Sequence, residues 1–284
     1  MTTTSGSTTS GREPFGARLH RLVAARGRLC VGIDPHASLL QAWGLDDDVA
    51  GLERFAMTAV EALAPEVSVI KPQSAFYERF GSRGVAVLER VVAHAREAGA
   101  LVCMDVKRGD IGSTTQAYAD AYLDPASPLF SDSVTASPFL GFGSLSPMVE
   151  TARKHGSGLF VLALTSNPEG REVQRARTED GRTVAATILD ALRALNVDTD
   201  PLGSFGPVIG ATVGDPGVDV DVNGPILVPG YGAQGGTVSD MRRVFGDAAR
   251  ALVPSTSRGV LEAGPAGLVD AARRAIDDVA ALDA

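Results

Sequence analysis

The sequence predicts an α/β protein, a single-domain (β/α)8 or TIM barrel, and three observations carry that expectation. Short apolar runs alternate with amphipathic helical patterns about eight times, the signature of a parallel sheet with helical crossovers. The 284 residues accommodate eight such units, and no shift in composition marks a second domain. Charged residues gather where the apolar runs end, and barrels carry their chemistry at the carboxyl ends of their strands.

Residues 1–12 are rich in Ser, Thr and Gly without an apolar centre, so they predict a disordered lead to a barrel domain over 13–284, and no signal peptide. Phe15, Leu19, Leu22 and Val23 recur at helical spacing and predict a helix over 15–26. Residues 29–33 form the first strand and deliver Asp34 to its end. Helical patterns follow around 38–43 and over 49–63. The second strand, 67–70, delivers Lys71, and Pro72 stops it. A helix over 83–98 ends at Gly99 and leads to the third strand, 100–104. The fourth strand is 133–136, followed by a helix over 144–155; the fifth is 158–164, ending in Thr165-Ser166-Asn167-Pro168. A polar stretch then lengthens the loop before a helix over 183–195. Strands six, seven and eight fall at 207–211, 226–228 and 251–254, and residues 260–282 are largely helical.

Composition bounds the function. A hydrophobic content of 44% can build a real core, and the net charge of −8 argues against general nucleic-acid binding. No run approaches the length of a membrane span, so a cytoplasmic enzyme is expected. Cys30 and Cys103 both lie in apolar runs and read as core residues. His20, His36, His94 and His155 show no ligand spacing, so no metal site is expected; His94 and His155 fall on helix surfaces.

The chain is organised around the end of the third strand. Two apart on a strand, Asp105 and Lys107 face the same side. Gly109 allows a turn, and Asp110 stands where a helix over 111–122 begins. The plain alternatives are a helix cap at Asp110 and a solvated ion pair of Asp105 with Lys107. Usage of cations favours chemistry: only Lys71, Lys107 and Lys154 are lysine, and the other 26 − 3 = 23 basic residues are arginine. A lysine kept in such a chain points to a compact ammonium able to give up a proton. Late in the chain, residues 229–236 carry four glycines and no charge, and Arg258 follows the next strand. Such a loop brings backbone N–H groups to an anion, and the loops after strands seven and eight commonly hold phosphate in barrels; a glycine-rich turn and a surface Arg are the alternative.

The run Asp105-x-Lys107-x-x-Asp110-Ile111-Gly112-x-Thr114 resembles the signature of the orotidine 5′-phosphate decarboxylase family. Gly32-Ile33-Asp34, Lys71, Ser166-Asn167-Pro168, the glycine loop and Arg258 agree with it, so the resemblance covers nearly the whole chain after Phe15. Asp34-Pro35-His36, Lys71-Pro72 and the run 165–169 look like the longer bacterial, mycobacterial-type branch. The resemblance implies conversion of orotidine 5′-phosphate to UMP in pyrimidine biosynthesis, without metal or cofactor, by a homodimer with shared active sites. It implies that Lys107 stabilises and protonates a carbanion at the pyrimidine C6, and that Asp105 lies beside the departing carboxylate. Asp34 and Lys71 would bind ribose hydroxyls and complete the charged chain, Lys71 as a catalytic residue; Ser166 would read the pyrimidine amide, and Gln234, Gly235 and Arg258 would hold the phosphate, with Pro229 at the head of that loop. Asp110 and Thr114 would enter the partner subunit's site, Asp110 as a catalytic residue and Thr114, with Ile111, as substrate-binding ones. A sister family of Mg²⁺-dependent sugar-phosphate enzymes shares Asp-x-Lys-x-x-Asp, but carries an acidic residue on strand two where this chain has Lys71. The remaining rivals are a Schiff-base lyase using Lys71 or Lys107 and a non-catalytic nucleotide-binding barrel.

Overall fold

Apolar residues buried on both faces of short parallel strands need helices outside and side chains inside, and the chain supplies both. The structure, a computed structural model, describes residues 11–232 and 235–283. Eight strands pair in sequence order, the last closing on the first: β1 (Cys30–Ile33), β2 (Val69–Pro72), β3 (Leu101–Arg108), β4 (Ser133–Ala136), β5 (Gly158–Leu164), β6 (Phe205–Ile209), β7 (Ile226–Pro229) and β8 (Leu252–Thr256). The helices are α1 (Phe15–Arg26), α2 (Ala37–Ala42), α3 (Val49–Leu63), α4 (Ala75–Glu78), α5 (Gly81–Glu97), α6 (Gly112–Leu123), α7 (Ser146–His155), α8 (Arg171–Gln174), α9 (Val184–Leu195), α10 (Val238–Phe245), α11 (Arg258–Leu261) and α12 (Leu268–Ala280). The expected (β/α)8 barrel is the observed one.

The period of two along each strand separates two cores. Val31, Ile70, Val102, Met104 and Val134 face outward and join the large core under the helices. Cys30, Val69, Leu101, Cys103, Phe160, Val208, Leu227 and Val253 face inward and fill the barrel. Phe15 and Leu19 of α1 close its base, Phe15 meeting Phe160 edge-on at 5.9 Å. Asp132 fixes this end: its Oδ2 accepts from the Val102 N–H at 2.8 Å, and Arg12 and Arg18 pair with its other oxygen. The inner layer above Cys103 is no longer apolar, and there the same alternation presents Asp105 and Lys107.

Some elements differ from expectation for local reasons. Strand three runs to Arg108 because its charged end is itself paired, Gln73 bridging Asp105 and Arg108 meeting Ala136. Strand six starts two residues early because the Asn196 side chain bonds both the N–H and the carbonyl of Phe205. The terminal helical run divides into α11 and α12. Helix α10 was not expected, although Val238, Met241, Val244 and Phe245 recur at helical spacing; a Thr237–Asp240 capping box starts it, and Met241 and Phe245 are buried. His94 and His155 lie on α5 and α7, half-buried. Among the described residues no helix is long and apolar enough to cross a membrane.

Candidate active site

A cleft of about 250 Å³ opens at the carboxyl end of the barrel. Strand ends β1 to β4 contribute Asp34, Lys71, Asp105, Lys107 and Thr135 to one side. Leu162, Val208 and Leu227 form an apolar floor, and Pro229, Gly230, Tyr231 and residues 255–258 form the other side.

Asp105 joins the charged groups. Its Oδ2 accepts from Lys71 Nζ at 3.0 Å, and its Oδ1 accepts from Lys107 Nζ at 2.6 Å and from the Thr135 hydroxyl at 2.8 Å. Lys71 and Asp105 are only 6% and 7% exposed, whereas Lys107 is open to the cleft. Burial alone would push the Asp105 carboxyl up, but the ammonium groups of Lys71 and Lys107 outweigh it and hold the carboxyl below the ordinary range. Burial likewise opposes the charge on Lys71, yet Asp105 and Asp34 raise it above the ordinary lysine value. The pair is therefore a buried carboxylate and a buried ammonium. Asp34 is also buried, and its Oδ1 has no hydrogen-bond partner. Asp34 lines the cleft, and a buried carboxylate oxygen without a partner beside it is suited to a ligand hydroxyl once the side chain turns toward one.

Lys107 adopts a backbone φ of +45°, left-handed and uncommon for a residue with a side chain. It falls where the β3–β4 register slips, between Met104 and Arg108. Beneath the charges, burial pushes the Cys30 thiol up to about 11 and also raises Cys103, so both are inert floor residues. Gly109 is needed for closeness rather than for a left-handed turn: a Cβ there would lie 2.1 Å from the Ser137 carbonyl oxygen.

A family model described as Orotidine 5′-phosphate decarboxylase / HUMPS matches residues 27–275. The chain belongs to the orotidine 5′-phosphate decarboxylase / HUMPS family. An orotidine 5′-phosphate decarboxylase from Nocardioides sp. is 69% identical over 251 residues, spanning 87% of this chain and 92% of that protein. The Streptomyces coelicolor enzyme of the same name is 65% identical over 254 residues, spanning 89% and 91%. A crystal structure from Streptomyces avermitilis superposes with a TM-score of 0.95 at 62% identity, covering 99% of this chain and all of the other. The Leishmania donovani OMP decarboxylase structure gives 0.74 at 30% identity, covering 95% and 98%.

Of the positions that carry the resemblance to the orotidine 5′-phosphate decarboxylase family, Asp34, Lys71, Asp105, Lys107, Pro229 and Arg258 meet in the one cleft. Arg258 opens α11, exposed, with no carboxylate in ion-pair distance among the described residues. Asp110, Ile111 and Thr114 do not line this cleft. Asp110 Oδ1 instead accepts from the Ile111 N–H at 2.8 Å, and Ile111 and Thr114 are exposed. Ser166 is exposed in a neighbouring depression beside Asn167 and Arg171, while Thr165 lines the cleft. Gly235 is exposed with φ +86°, its N–H bonded to the Gly232 carbonyl at 2.8 Å; Gln234 lies outside the described residues. Sequence reasoning missed Thr135 and Tyr231. Thr135 carried a signal, a polar residue two positions after Ser133 on the inward face of β4. Tyr231 lies within the glycine-rich loop 229–236, but nothing local announced the bond its hydroxyl donates to Asp278 of distant α12 at 2.5 Å.

Proposed function

We infer that the chain decarboxylates orotidine 5′-phosphate to UMP in pyrimidine biosynthesis. The observation that carries this reading is the chain Lys71–Asp105–Lys107, with the unpartnered Asp34 carboxylate oxygen and Arg258 in the same cleft. Family membership and relatives at 69% and 65% identity named for this reaction support it.

The reaction breaks the bond from C6 to the carboxylate, and the electron pair stays on C6 where no ring carbonyl receives it. An ammonium at C6 stabilises that pair and then donates a proton to it, and Lys107 is the exposed cation of the trio. Asp105 lies next to the departing carboxylate and is kept charged by its two lysines. Lys71 and Asp34 take ribose hydroxyls. Pro229, Gln234, Gly235 and Arg258 take the phosphate, whose remote binding energy is spent at C6. Ser166 reads the pyrimidine amide once the loop after β5 covers the base.

The working unit in this reading is a cytoplasmic homodimer, residues 13–284 forming the catalytic domain behind a short lead. Asp110 and Thr114, with Ile111, are not among the residues lining their own cleft, and in this reading they serve the partner's. Ile111, Phe139 and Leu140 are 62%, 75% and 52% exposed on the two loops that meet where Gly109 touches Ser137, which supports a covered face there. Lys71 on β2 favours this reaction over that of the Mg²⁺-dependent relatives, which carry an acidic residue there. Following the absorbance loss of orotidine 5′-phosphate with purified protein, with and without EDTA, is the test. Turnover unaffected by EDTA is expected; no turnover, or turnover abolished by EDTA, overturns the reading.

A further inference from the structure

We propose that Thr135 is a positioning residue that sets the geometry of Lys107 and Asp105 through a single hydroxyl, an inference that rests on Lys107 being the proton donor. Thr135 is 1% exposed, on the inward face of β4. Its Oγ1 accepts from the backbone N–H of Val106 at 3.0 Å and of Lys107 at 2.9 Å, and donates to Asp105 Oδ1 at 2.8 Å.

These bonds meet a need that the register creates. Where β3 slips against β4, the strand N–H groups lose regular carbonyl partners. Buried N–H groups are rarely left open, so something else must accept from them. The Thr135 hydroxyl accepts from two in succession, at the residue whose φ is +45°. It therefore holds Lys107 in a backbone conformation that a lysine seldom adopts.

The same geometry fixes the direction of the third bond. A hydroxyl has one proton and two lone pairs. The two N–H groups occupy both lone pairs, so the proton is left to aim at Asp105 Oδ1. That oxygen also receives Lys107 Nζ, so one group holds both the backbone of the lysine and the carboxylate that anchors its ammonium. Valine keeps the branched shape and loses all three bonds; serine keeps the hydroxyl.

The test compares Thr135→Val, Thr135→Ser and Lys107→Ala for kcat, KM and UMP affinity. Thr135→Val is expected to lower kcat by about a hundredfold, as for a small misplacement of a reacting group. UMP affinity should stay within about threefold, since the phosphate and ribose contacts lie elsewhere. Thr135→Ser should keep kcat within about threefold of wild type, because it retains every bond. An unchanged kcat in the valine variant, or an equal fall in the serine variant, overturns the proposal while leaving Lys107 as the donor. Near-normal turnover by Lys107→Ala overturns the role of Lys107 instead. Hydrogen exchange on the wild-type protein gives a readout independent of any variant. The Val106 and Lys107 amides should be protected by at least about a hundredfold, and free exchange at both overturns the proposal.

Discussion

Lys107 reaches back 2.6 Å to a carboxylate only two residues before it, Asp105, and does so from a left-handed backbone. A regular strand would send both side chains to the same side in parallel; the local twist instead folds the ammonium onto the carboxylate and leaves it facing the cleft.

Lys107→Ala is expected to lower kcat by at least about 10⁴-fold, the combined scale of a lost proton donor and a lost electrostatic stabiliser. Thermal unfolding should still be cooperative. Lys107→Arg should not rescue, because guanidinium holds its proton. Stopped assays over a range of enzyme concentrations measure both, and near-normal turnover by the Arg variant would remove Lys107 from its role.

Arg258→Ala should raise KM by about ten- to a hundredfold and lower kcat/KM with it, as expected for loss of a charge-assisted contact. Inorganic phosphite added to a substrate lacking its phosphate should restore part of the rate in wild type and less in the variant. An unaltered KM would show that the phosphate is held elsewhere.

Lys107→Ala and Asp110→Ala homodimers should each be nearly inactive, yet a mixture allowed to exchange should recover activity. In a mixed dimer one site carries both substitutions and the other neither. Random exchange makes half the dimers mixed with half their sites intact, so roughly a quarter of wild-type activity is expected for two-fold pairing. If mass spectrometry shows exchange and the mixture stays inactive, Asp110 serves its own site.

Acid stability should report Asp105. Its folded carboxyl titrates below its unfolded value, so its contribution is present above the unfolded pKa of about 3.9 and is lost as pH falls through the folded value. Lys71 behaves oppositely, its contribution lost only as pH rises beyond the ordinary lysine range. Between about pH 2 and 4, Asp105→Asn should flatten the pH dependence of stability by up to about 1.4 kcal/mol per pH unit, one proton's worth. Urea midpoints across that range measure it, and parallel wild-type and variant slopes would show that Asp105 is not held charged.

The barrel and one half of the site were legible in the chain because they rest on local patterns. Alternating apolar runs located every strand to within a few residues, and Asp34, Lys71, Asp105 and Lys107 stand at or beside strand ends where period two aims them inward. Arg258 was legible from its place after the last strand. What the chain concealed depends on contacts distant in sequence. The slip between β3 and β4 that gives Thr135 its bonds is a property of two strands together, and the reach of Tyr231 to Asp278 spans 47 positions. Gly109 looked like a turn residue, but its missing side chain admits the Ser137 carbonyl.

The ring of Phe15 wedged against Phe160 plugs the barrel at the end opposite the cleft. Substrate, carbon dioxide and UMP would therefore share the opening at the carboxyl end of the strands. Phe15→Ala would hollow that plug, and the cavity left beneath the cleft would cost about 3–5 kcal/mol of stability.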